Sequence, residues 1–244
     1  MPGVEGVILL LVASLPTAVL GGTVGFGTGV LMLPLVAWTI GVRSAVPVLS
    51  LALLLGNLSR AWLSRRELNW PVIGAYLAGA APAAVLGSLF FVHVRLEWLS
   101  RAMGLFLLLA VPLRRWMEKG PRRMQLRHFP ALGAVTAFLS ALVAATGPIN
   151  TPFFLGYGLR RGAYVGTEAV CAGMVHVIKT LVYGRYALVS PEAAGLGVAM
   201  GAVMFVGAWI GRALLARMSD RAFLTAIEIL MTVFGLLMLV RGPA

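Results

Sequence analysis

From Val4 to Val240 the chain alternates long apolar runs with short clusters of arginine, and this succession decides what it can fold into. A helix of about 20 apolar residues matches the ~30 Å of hydrocarbon in a bilayer. Eight such runs are present, near residues 4–20, 44–62, 70–92, 97–113, 129–146, 163–183, 191–215 and 221–240. Of 244 residues 60% are hydrophobic and only 11% charged, too little polar surface to cover a soluble domain of this size. The expectation is an all-α polytopic membrane protein, a single membrane domain spanning 1–244. The start of the first run carries one charge, Glu5, and no basic region precedes its apolar core, so that run is expected to be retained as a membrane segment.

Two shorter runs, "VLMLPLVAWTIG" at 30–41 and "INTPFFLGYGL" at 149–159, cannot cross the hydrocarbon as helices. Each follows a long run across a break: "GGTVGFGTG" at 21–29 and "ATGP" at 145–148. Irregular backbone at membrane depth survives only where it is buried in protein or lines a polar cavity, so the breaks mark a cavity. Each pair either crosses once as a broken helix or returns as a re-entrant hairpin. With hairpins, fourteen loop cations fall on one side and five (Arg43, Arg95, Arg101, Arg185 and Arg241) on the other; with single crossings the division is eleven to eight. Basic residues concentrate on the cytoplasmic side, which favours the hairpins and places both termini outside the cytoplasmic membrane.

Two halves of five elements each then insert with opposite orientation, the pattern of an inverted repeat: residues 1–113, a cytoplasmic loop at 114–128, and 129–244. Each half holds a hairpin and three transmembrane helices. A weak internal match agrees. Aligning "GVLMLP" (29–34) with "GPINTP" (147–152) brings Asn57 opposite His176 and Arg60 opposite Lys179 after a one-residue gap.

The breaks supply the chemistry. A half-helix starting near Gly29 directs free N–H groups and its positive dipole end inward, and Gly25, Gly27, Thr28 and Gly29 let a ligand approach the backbone. Thr146, Gly147 and Asn150 offer comparable donors at the second break, where Thr151 is expected as N-cap with Pro152 as first helical residue. A small anion is the expected occupant. The competing use of these glycines is tight helix packing, as the spacing in "GAWIG" (207–211) suggests.

Arg60 and Lys179 either hold the anion from opposite sides or snorkel to an interface. His176 shares a helix face with Lys179, and histidine is the side chain whose ordinary titration falls in the physiological range, although packing alone is the alternative. Glu228 and Glu168 are candidates for proton coupling, because a buried carboxylate must be protonated or paired; Glu168 could instead pair with Arg160 or Arg161.

Net charge of +12 resides in loops beside apolar runs and not on a soluble basic face, so nucleic acid is not an expected partner. Cys171 is the only cysteine, which excludes an intramolecular disulfide and CxxC sites. There is no HExxH, GxSxG or Walker loop, so neither an enzyme nor a cofactor is expected.

With these residues in view, "GFGTGVLMLPLV" followed by "SAVPVLSLALLLGNLSRAWLSRRELNWPVIGAYLAGAAPAAVLGSLF" resembles the TauE/SafE family of sulfite and organosulfonate exporters, and "ALVAATGPINTPFFLGYGL" and "VIKTLVYGRYAL" resemble its second half. Gly25, Gly27 and Gly29 match the family's GxGGG run, with Thr28 in place of a glycine. The resemblance implies secondary transport of a small sulfur-containing anion coupled to protons. An anion channel on the same hairpins, or an uptake permease for another small oxyanion or carboxylate, is the alternative.

Overall fold

A computed structural model describes residues 3–118, 124–144 and 146–214, together with Thr232 and Leu236. All regular elements among them are helical: α1 (Val4–Val24), α2 (Thr28–Ile40), α3 (Val42–Leu63), α4 (Trp70–His93), α5 (Leu96–Glu118), α6 (Phe129–Val143), α7 (Gly147–Gly156), α8 (Arg161–Arg185) and α9 (Pro191–Leu214). A 3₁₀ turn, Leu126–His128, leads into α6. Among the described residues six stretches are long and apolar enough to cross a membrane: Val4–Gly22, Val42–Leu63, Trp70–His93, Leu126–Val143, Arg161–Arg185 and Pro191–Ala213. The expected segment at 97–113 is helical within α5, which continues to Glu118 into the stretch expected as loop; the segment at 221–240, apart from Thr232 and Leu236, lies outside the described residues, and so does Glu228.

Helix ends follow local chemistry. Asn69 caps α4, its side chain accepting from the Val72 N–H at 3.1 Å. α1 stops at Gly25, whose φ of 87° lets its N–H close onto Gly21 O at 2.8 Å. α6 stops the same way at Ala144, a non-glycine at φ 59°.

Small residues set the helix pairs. α1 and α9 run parallel, with Gly207 against Leu15 and Ala18 and Gly211 against Val19 and Gly22, so the "GAWIG" spacing is a packing device. α4 and α6 also run parallel: Gly79 meets Pro130, Gly133 meets Tyr76, and Gly87 meets Phe138. α3 lies parallel to α9 and antiparallel to α8, where Gly166 faces Ser64 and Gly173 faces Asn57. α2 packs on α1 and α3, and α7 on α5, α6 and α8.

Loops collect at two ends. At one, Arg212 pairs with Glu67 at 3.5 Å, Gly162 lies against Glu67, and the Met124 N–H donates to Gly156 O at 3.4 Å, setting the end of α7 beside the entry to α6. At the other, Arg43 donates to Val94 O at 2.7 Å and His93 meets Tyr186 edge to face. Trp62 and Trp70 are exposed towards the first end and Trp38 and Trp98 towards the second, the placement that membrane interfaces favour. The two breaks lie between these ends, flanked by a core around Met32, Leu49, Phe91 and Met200 and another around Tyr76, Phe129 and Phe154.

Candidate functional site

The breaks meet. A Cβ on Gly147, at the start of α7, would come within 2.6 Å of Phe26 Cβ, so only the absent side chain lets the second break close against the first. Beside this contact is a cavity of about 50 Å³, room for a few water-sized groups. Its wall includes Gly25, Gly27, Thr28 and Gly29 from the first break and Thr146, Gly147 and Asn150 from the second. α3 adds Asn57 and Arg60, and α8 adds Glu168 and His176.

α2 and α7 begin at this wall. The first-turn N–H groups of a helix have no intrahelical acceptor, and neither Gly27 nor Thr146 supplies a side-chain cap. Two positive helix ends therefore point at one small volume. Thr28 does not turn its hydroxyl proton to the cavity: it donates to Thr17 O at 3.0 Å across α1, an approach that Gly21 permits by lacking a side chain. Gly22, in contrast, packs on Ala208 of α9, so the glycines of this break divide between packing and cavity.

The second half-helix begins earlier than expected. Pro148, not Pro152, occupies the first turn, which makes Thr146 the N-cap residue and puts Thr151 inside α7. There the Thr151 hydroxyl lies 2.8 Å from Gly147 O and 2.7 Å from the Tyr164 hydroxyl, and Thr151 is not part of the cavity wall.

The two cations are engaged by backbone. Arg60 donates through Nη1 to Gly25 O, the carbonyl that ends α1, and through Nη2 to Asn57 Oδ1. Lys179 is fully buried and donates to Ser140 O at 2.8 Å and Ser140 Oγ at 3.0 Å, in the last turn of α6. Tyr183 adds a bond to Ala141 O at 2.6 Å. The carbonyl ends of helices carry negative partial charge and attract cations, which explains both placements. Lys179 reaches the cavity only through Ser140, which lines it.

Glu168 faces Arg60, with Oε2 3.6 Å from Nη2 and only 3% of its side chain exposed. It does not pair with Arg160, which instead donates to Leu155 O at 3.2 Å. One charge of each sign therefore meets its opposite at the cavity, contributed by α3 and α8. Tyr76 and Ser140 complete the polar side chains of the wall, and neither is among the residues expected from sequence. A tyrosine in the apolar run of α4 was the available signal, since a buried phenol needs a partner; here it bonds Thr136 Oγ1 at 2.8 Å.

Six apolar helices long enough to cross a bilayer, with a polar cavity walled by two helix breaks among them, mark a multi-pass membrane protein. The family model for the Sulfite exporter TauE/SafE family matches residues 9–238, and the chain belongs to that family. No match was found among curated proteins or solved structures.

Proposed function

We propose that this protein is a secondary transporter that exports a small sulfur-containing anion, sulfite or an organosulfonate, across the cytoplasmic membrane by alternating access coupled to protons. The observation that carries it is the meeting of two helix N-termini at one small cavity. The anion binds the N–H groups at Gly27–Gly29 and Thr146–Gly147 with Asn57, Arg60, Asn150 and His176 around it. Thr151 and Lys179 support the site from behind, through Tyr164 and Ser140. Glu168 is the described carboxylate suited to take the coupled proton.

The helix contacts support an inverted repeat. Exchanging α1 with α6, α2 with α7, α3 with α8 and α4 with α9 turns the α1–α9 pair into α6–α4 and the α3–α9 pair into α8–α4, and both products occur. The halves, 1–113 and 129–244, would then rock around the breaks. The Met124–Gly156 bond supports a re-entrant second hairpin, because the end of α7 returns to the side from which α6 enters. The first end of the bundle, with Glu67 and Arg212, is then cytoplasmic, and both termini are external.

Flux in proteoliposomes tests this. Saturable sulfite movement that responds to an imposed pH gradient is expected. Conductive, unsaturable movement indifferent to that gradient would instead establish a channel and overturn the carrier.

A further inference from the structure

Among the described residues five buried side-chain atoms have no hydrogen-bond partner, and three of them belong to this cavity: Asn150 Oδ1, Glu168 Oε2 and His176 Nδ1. Their residues are 2%, 3% and 4% exposed. Such atoms are normally satisfied in a folded protein, so three gathered at one cavity indicate a ligand.

Their chemistry has one sign. Asn150 presents its oxygen because its amide nitrogen is committed elsewhere: Nδ2 donates to the Tyr76 hydroxyl at 3.4 Å, Tyr76 to Thr136 Oγ1 at 2.8 Å, and Thr136 to Leu132 O at 2.7 Å. This one-way relay ends on a carbonyl, which fixes the amide orientation. A carboxylate oxygen accepts, and so does imidazole Nδ1 when the ring proton is on Nε2. With the His176 proton on Nε2 and Glu168 ionised against Arg60, one wall of the cavity donates, through the N–H groups of α2 and α7, and the other accepts.

Nor is there an excess of positive charge to hold a bare anion. Among the described residues the charged side chains lining the cavity are Arg60 and Glu168, one of each sign, and both terminal nitrogens of Arg60 already bond Gly25 O and Asn57 Oδ1. An anion without a hydrogen to give would leave Asn150 Oδ1 and His176 Nδ1 unmatched and would sit against the Glu168 carboxylate, which faces Arg60 at 3.6 Å.

Resting on the anion-site reading above, we propose that the cavity selects anions that carry their own hydrogen-bond donor: a protonated oxyanion, or a sulfonate bearing a hydroxyl or amino group beside the acid. The oxyanion oxygens take the helix N–H groups, and the donor hydrogen goes to the wall formed by Asn150, Glu168 and His176. A site built to pair with an O–H or N–H rejects the analogue that lacks it far more strongly than its loss of size alone predicts.

Sulfamate and methanesulfonate give a matched test. Both are tetrahedral monoanions of closely similar size, and only sulfamate has N–H groups where methanesulfonate has a methyl. Calorimetric titration of the purified full chain in detergent is expected to show sulfamate binding at least about tenfold more tightly. Glu168→Gln should narrow the ratio by turning an acceptor into a partial donor, and Asn150→Leu should narrow it while leaving the Arg60–Glu168 pair intact. Equal or weaker binding of sulfamate by the wild-type chain overturns the donor requirement while leaving an anion site standing. Failure of either anion to bind overturns the anion site itself, and an unchanged ratio in both variants overturns the acceptor wall.

Discussion

Gly25 shows how much one backbone position does here. Its φ of 87° belongs to the left-handed region, and a Cβ would approach Tyr164 Cε1 to 2.7 Å. Gly25→Ala therefore adds about 1–2 kcal/mol of backbone strain and also displaces Tyr164, which is bonded to Thr151 at the second break. Lower thermal stability together with weaker anion binding is expected. Gly41→Ala is the contrasting case: φ is 83°, but nothing lies within 4 Å of the added carbon. It should lower the melting temperature and leave binding unchanged, as titration of both variants would show. Lys179→Met removes two hydrogen bonds to Ser140 but also a buried ammonium, effects that offset within about 1–2 kcal/mol. The variant should melt within a few degrees of the parent yet lose most proteoliposome flux, because Tyr183 alone then holds the end of α6 and Ser140 at the cavity is released; full flux would assign Lys179 to packing. The site glycines, Asn57 and Arg60 were legible as residues because charge and backbone freedom are conspicuous in an apolar chain. Ser140 and Tyr76 were not, since a lone hydroxyl in an apolar helix acquires its place from the neighbour that crosses it. The partner of Glu168 was hidden for the same reason: Arg60 is far away in sequence and adjacent only once α3 lies against α8.

At the scale of the helix, glycine has two opposite meanings within α4. A side-chain carbon added at Gly74 would meet nothing within 4 Å, whereas Gly79 lies directly on the backbone of Pro130 in α6. Gly74→Ala should stabilise by about 0.5–1 kcal/mol through helix propensity. Gly79→Ala should destabilise and reduce the yield of folded protein, because two backbones must separate. Thermal unfolding of the two variants in the same detergent distinguishes them, and stabilisation by both would refute the close α4–α6 approach. The extents of α1, α3, α4, α8 and α9 were legible to within a few residues from apolar run length. The start of α7 was not: Pro148 and Pro152 both suit a first turn, and the sequence contains no signal that ranks them. Which helices touch was also hidden, because runs that are apolar on every face carry no stripe to mark the buried side.

For the whole molecule, the distribution of arginine predicts sidedness, and the single cysteine makes it simple to test. Cys171 is fully buried, so single cysteines introduced elsewhere dominate labelling by a membrane-impermeant maleimide. Cysteines replacing Arg66 and Arg161 should be labelled from the cytoplasmic face, and those replacing Arg95 and Ala187 from the outer face. Labelling of positions 66 and 161 from opposite faces would exclude the second hairpin and restore a single broken crossing.

The bonds that hold the two breaks also impose an order on synthesis. The carbonyl that ends α1 has to wait 35 residues for Arg60, and Ser140 at the end of α6 waits 39 residues for Lys179. An unpaired carbonyl in hydrocarbon costs several kcal/mol, and water cannot reach it there. Each broken helix pair is therefore an unfinished object when it leaves the ribosome, completed only when the helix after it is threaded alongside. A nascent chain stopped before α3 or before α8 should remain exposed to the insertion and quality-control machinery, and its release should coincide with the arrival of the cation that closes the break.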